Sequence, residues 1–126
     1  MAVKIIDTDN CTVLYDADAD ATVEKDMLDG PCVLHGIFVL NDDAATNHLK
    51  LYDNIDPTVG TTAPDIILPL TTDATDPPKG GMYFPINAPD GIAFTNGLSA
   101  AVVSEAGTAG TTAPTLVRAT FLVVRG

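Results

Sequence analysis

The chain has 126 residues, the length of one domain, and 46% of them are apolar, so it can build a hydrophobic core and is not a disordered chain. Its net charge of −11 disfavours nucleic acid as a partner, because an acidic protein is repelled by the phosphate backbone. No apolar run approaches the roughly 20 residues of a membrane span, and no basic amphipathic stretch indicates a membrane surface.

The N-terminal quarter is the most acidic part and shows the weakest strand pattern. Residues 3–6 and 12–15 could form short strands, but an Asp-rich run at residues 16–20 follows them. We therefore predict an extended acidic N-terminal arm at residues 1–30 that orders on a partner, and a folded domain at residues 31–126.

The oxidation state of the two cysteines is predicted from the expected compartment. The first residues contain no continuous apolar stretch of the kind found in secretory signals, so we expect synthesis in a reducing cytoplasm. Cys11 and Cys32 are then predicted to be free thiols.

The strand pattern becomes clear from residue 31. Residues 31–40 are almost all apolar, which predicts a strand that is central in a sandwich or lies at an interface. Residues 46–52 alternate, with Leu49 and Leu51 on one face and His48, Lys50 and Tyr52 on the other, outer face. Further short strands are predicted at residues 65–70, 81–86, 91–95, 98–103 and 115–124.

These segments predict an all-β fold. About eight short strands are separated by loops rich in Gly, Pro, Asp and Asn, and no segment has a 3.6-residue period. The pattern favours an antiparallel β-sandwich, jelly-roll-like, with a small barrel as the structural alternative. In the last strand, Val117, Ala119, Phe121 and Val123 are predicted to share one face.

The pentapeptide Gly-Thr-Thr-Ala-Pro occurs twice, at residues 60–64 and 110–114. It has no charged or aromatic group with which to hold a ligand. Its Gly suits a positive φ, and its Pro suits the first residue of a strand. We interpret both copies as strand lead-ins within two equivalent strand–loop–strand units.

No residue pattern predicts a metal site, a cofactor or catalysis. Asp16, Asp18 and Asp20 have the spacing of the start of a calcium loop, but Ala21 and Met27 stand where that loop needs Gly and an acid. The Asp and Asn residues of 53–56 could meet a cation, although turn formation explains them as well. The Cys and His spacing does not match a zinc site, and neither Ser lies in a nucleophile motif, so we expect no enzymatic activity.

Residues 36–124 resemble small virion proteins of tailed bacteriophages. The resemblance lies in LKLYDN at residues 49–54, PTVGTTAP at 57–64, ILPL at 67–70 and GIAFTNGLSAAV at 91–102. It implies a β-sandwich that serves as a head decoration, or cement, protein on the virion surface. The implied partner is the major capsid protein, and the implied assembly is a homo-oligomer, with a trimer favoured.

The resemblance implies that the N-terminal arm binds the capsid. We expect Val3, Ile5 and Ile6 to be the apolar anchors that contact the capsid. The alternative is a binding module associated with the tail, neck or fibre, possibly one that binds glycans. Sugar sites often stack on Trp or Tyr, and the chain offers only Tyr15, Tyr52 and Tyr83, which disfavours glycan binding.

Overall fold

The computed structural model describes residues 3–8, 11–71, 81–86 and 90–125. These residues form antiparallel β-strands and no helix, so they offer no helical segment that could cross a membrane. The all-β prediction is confirmed, with nine strands instead of about eight. The strands are β1 (Lys4–Asp7), β2 (Thr12–Asp16), β3 (Cys32–Asn41), β4 (Asn47–Asp53), β5 (Ile66–Leu70), β6 (Met82–Pro85), β7 (Ile92–Phe94), β8 (Leu98–Val103) and β9 (Val117–Arg125).

The strands form two separate sheets. Sheet A has the order β1-β2-β9-β3-β6, and β7 also pairs with β3. Sheet B has the order β5-β4-β8. One core cluster draws side chains from both sheets, among them Phe121 of β9 and Leu49 of β4. The sheets therefore pack face to face as a sandwich, while the jelly-roll connectivity stays a prediction.

Side-chain alternation in sheet A follows the sequence pattern. Val117, Ala119, Phe121 and Val123 of β9 all point into the core, as predicted. Strand β3 contains a bulge, since its register with β9 shifts between Leu34 and Gly36.

The prediction of a separate N-terminal arm is wrong for the part of residues 1–30 that follows β1. Strand β2 lies between β1 and β9, and its Leu14 is fully buried. Further along, Glu24 and Ala100 exchange two backbone hydrogen bonds of 2.8 and 3.0 Å, so the chain extends sheet B beside β8. Met27 then joins the core cluster. Most acidic residues of this segment lie in its turns or at its surface, although Asp16 of β2 is buried, and apolar residues such as Leu14 and Met27 anchor it.

The outer face of sheet B is covered at Lys50 and Tyr52, which corrects the expectation for β4. Lys50 and Tyr52 point away from the core as predicted, yet they are only 0% and 1% exposed. The loop after β8 crosses this face, and the Lys50 ammonium donates a hydrogen bond of 2.5 Å to the carbonyl oxygen of Gly107. Burial lowers the pKa of Lys50, and the nearby Glu105 carboxylate opposes that change.

The two copies of the repeated pentapeptide touch each other. Gly60 has a φ of 91°, and a Cβ at this position would lie 2.6 Å from Cγ2 of Thr111. Both copies precede a strand, as predicted. The two units are not equivalent, however, because β4 and β5 form a hairpin within sheet B, whereas the chain from β8 to β9 passes to the other sheet.

Candidate functional site

The candidate site is the face of sheet A that points away from the core. Its strand positions include two cations, Lys4 and Arg118, and no carboxylate among the described residues. The chain has 17 acidic residues, but within the described strands only Asp7, Asp16 and Asp53 are acidic, and all three occupy positions on the core side of their strands. Surfaces that bind partners are depleted in charge and enriched in aromatic residues and Arg at their centre.

Strand register places a line of side chains across this face. Tyr15 of β2 lies opposite Thr120 of β9, which lies opposite Phe38 of β3, which lies opposite Tyr83 of β6. The Phe38 and Tyr83 rings are stacked, with centroids 4.3 Å apart and planes 15° apart. They are 47% and 51% exposed. Three aromatic rings from strands distant in the sequence therefore share one line on the surface.

A groove of about 450 Å³ runs beside these rings, and we call it the aromatic groove. Tyr15, Phe38, Tyr83, Thr120 and Arg118 contribute to its lining. The sequence pointed to Tyr15 and Tyr83 as isolated tyrosines. It gave no sign of Phe38, Thr120 or Arg118, because only the strand register brings them together.

The other half of the same face is aliphatic. It consists of side chains that neighbour one another across four strands, and we call it the aliphatic patch: Ile6, Val13, Leu122, Val33 and Val124. The patch ends at β1, the outermost strand of the sheet.

The three predicted capsid-contact residues lie on or beside β1. Ile5 and Ile6 are each 45% exposed, and as neighbours in a strand they point to opposite faces. Val3 instead packs against the core cluster, so it anchors the strand and is less available for a partner. Asp7, at the other end of β1, meets Arg125 at 3.4 Å in an exposed ion pair.

Two acidic segments use their carboxylates internally. Asp16 accepts a hydrogen bond from the backbone N–H of Asp18, and Asp20 accepts one from the N–H of Thr22. Asp53, the last residue of β4, accepts the N–H of Asn96 at 2.8 Å and so ties two distant segments together. The turn bond of this acidic segment runs from the N–H of Asp56 to Oδ1 of Asn54. Across the described ranges, no group of three or more His, Cys, Asp and Glu could hold a metal ion.

Cys32 and His35 lie on opposite faces of β3, as the strand period predicts. Cys32 is in the core, and burial raises the pKa of its thiol to about 11, with smaller contributions from the negative charges of Asp26 and Asp53. His35 is exposed. Both Cys32 and Cys11 are free thiols, as predicted.

A second cavity, of about 260 Å³, opens between the two sheets. Leu51 and Ile66 of sheet B and Phe84 of sheet A are among its lining residues. Its walls are almost wholly apolar, and a small-molecule site normally also needs a few polar groups that fix the ligand. The aromatic groove has such groups and is the better candidate.

Comparison with known proteins adds no relative. No protein-family model, curated protein or solved structure matches this chain.

Proposed function

We propose that the chain is a non-enzymatic structural protein of a tailed-bacteriophage virion. It binds the outer surface of the head as a decoration, or cement, protein and stabilises contacts between major capsid subunits. The resemblance in residues 36–124 supports this class of protein, and the same resemblance favours a trimeric homo-oligomer. The protein would be made in the host cytoplasm and act on the virion surface.

The aliphatic patch and the β1 edge carry the proposal. Among the described strands, β1 pairs only with β2, so its other edge can accept a strand from a partner. Ile5 and Ile6 flank this edge on its two faces. A capsid segment lying along β1 would cover both side chains and continue onto the patch. Val3 contributes by holding β1 on the sandwich.

The experiment adds purified protein to heads assembled without it and measures bound protein as a function of concentration. We expect binding that saturates at a fixed ratio to the capsid subunit. The double substitution Ile5→Asp with Ile6→Asp places two charges in the contact, so it should abolish uptake. Because both side chains are half-exposed, the circular dichroism spectrum should stay unchanged.

Ile67→Asp is the matched control. Ile67 is an exposed isoleucine on β5, in the other sheet, and its replacement should leave uptake intact. Equal uptake by the double variant and the control would remove β1 from the contact. Absence of uptake by the wild-type protein would contradict the decoration role and favour the tail, neck or fibre.

A further inference from the structure

The aromatic groove contains a cation for which the described residues supply no counter-charge. Arg118 is half-buried, and it makes no hydrogen bond or ion pair with any described residue. Its direct neighbour across the strands is Leu40 of β3. Arg125, which directly follows Val124 in β9, behaves differently, since it donates to the carbonyl oxygen of Leu28 and to Asp7.

A guanidinium that has no counter-charge among the described residues favours a negatively charged ligand. The planar fork of Arg matches a carboxylate, to which it can donate two parallel hydrogen bonds. The groove lies on a face of sheet A whose described strand positions hold no carboxylate, so a small anion is not repelled by groups on these strands.

The groove also has the width for a six-membered ring. Tyr15 and Phe38 stand on strands separated by β9, which puts their backbones about 9.6 Å apart at about 4.8 Å per strand. A ring in van der Waals contact with two flanking rings needs about 7 to 8 Å. Between them the Thr120 hydroxyl forms a polar floor, able both to donate and to accept a hydrogen bond.

We propose that the aromatic groove binds an acidic saccharide. A pyranose ring lies between Tyr15 and Phe38, its carboxylate binds Arg118, and its hydroxyl groups bond to Thr120. Tyr83 supports Phe38 by stacking on its other face. The groove is distinct from the aliphatic patch, and this binding does not depend on the capsid contact at β1.

A saccharide fits this half of the face better than a second protein does. Hydroxyl groups of Tyr15, Thr120 and Tyr83 are spaced along the line of rings, whereas the flat aliphatic surface that a protein would cover lies in the other half. The chain has few aromatic residues, but the strand register gathers three of them in one place.

The test titrates the full chain with trigalacturonate and with sialyllactose, and follows backbone amide shifts by NMR. We expect saturable binding of at least one acidic sugar at millimolar concentration, with shifts at Thr120, Phe38 and Arg118. The methyl esters of trigalacturonate and of sialyllactose remove the charge and keep the sugar rings. They should bind roughly ten- to a hundredfold more weakly, because a charge-assisted hydrogen bond is lost.

Three variants locate the site. Arg118→Gln should weaken binding of the acidic sugar to the level of its neutral analogue, and Phe38→Leu should weaken both, since it removes the ring but keeps an apolar side chain. Arg125→Gln, which removes the same charge outside the groove, should leave affinity unchanged.

Several results would overturn the proposal. Binding of neither acidic sugar would do so, as would equal affinity for the ester or shifts confined to other regions. Sedimentation and hydrogen exchange on the free protein give a further check. If the amides around Thr120 were protected in a self-associated form that excludes the sugars, the groove would be a protein interface instead.

Discussion

Replacing Leu14 by Ala should destabilise the protein strongly, because Leu14 of β2 is fully buried in the core cluster. Truncating a buried Leu to Ala costs about 2 to 5 kcal/mol. At about 2.1 cal/mol/K per residue, 126 residues have an unfolding entropy of about 0.26 kcal/mol/K. Each kcal/mol then lowers Tm by about 4 °C, so the expected decrease is about 8 to 19 °C.

Ile5→Ala is the matched control for this prediction. Ile5 lies directly opposite Leu14 in the β1–β2 register but is 45% exposed, so its truncation should cost about 1 kcal/mol or less. Urea unfolding followed by far-UV circular dichroism suits a chain without Trp. Equal, small effects of the two substitutions would refute the placement of β2 in the sandwich. So would a cooperatively folded deletion of residues 1–30 with wild-type stability.

Two further predictions concern ionisable groups in the fold. Cys32 should react with a thiol reagent at pH 8 far more slowly than Cys11, because burial raises its pKa to about 11 and also blocks access of the reagent. Labelling of both thiols at equal rates in the native protein would contradict this prediction. Asp16→Asn should raise the free energy of unfolding at pH 7. Burial raises the pKa of the Asp16 carboxyl, so this group ionises at a lower pH in the unfolded chain than in the folded protein. The folded protein therefore loses stability as the pH rises from the unfolded to the folded pKa, and Asn avoids that loss. Asn keeps the acceptor for the N–H of Asp18, and the gain should vanish below the ordinary pKa of aspartate; a gain that persists in urea titrations at that low pH would refute the electrostatic cause.

The sequence predicts side-chain alternation wherever a strand has one buried face. Leu49 and Leu51 were assigned correctly to the core side of β4, and so was the alternation of β9. The same pattern failed for the opposite side of β4. Lys50 looks like a solvent-facing residue because a local pattern cannot show that a loop more than fifty residues away, through Gly107, covers it.

The prediction of a separate N-terminal arm is wrong for a related reason. Backbone groups pair with a sheet edge whatever their side chains are, so an Asp-rich segment can extend a sheet without showing strand alternation. Glu24 does this beside Ala100 of β8. The local signals were the short strand patterns at residues 3–6 and 12–15 and the apolar pair Met27 and Leu28, which belongs to the core cluster.

The aromatic groove depends on a single extra residue in β3. Leu34 faces the core, and in a regular strand Gly36 and Phe38 would face it too, which would leave Ile37 outside. The bulge between Leu34 and Gly36 reverses this order, because Gly36 pairs with the outward-facing Leu122 and Phe38 with Thr120. Ile37 then becomes a core residue, and Phe38 reaches the surface beside Tyr83. The period of the sequence over residues 31–40 cannot locate such a bulge. The sequence therefore shows that both faces of β3 are apolar, but it does not show which side chains lie on which face.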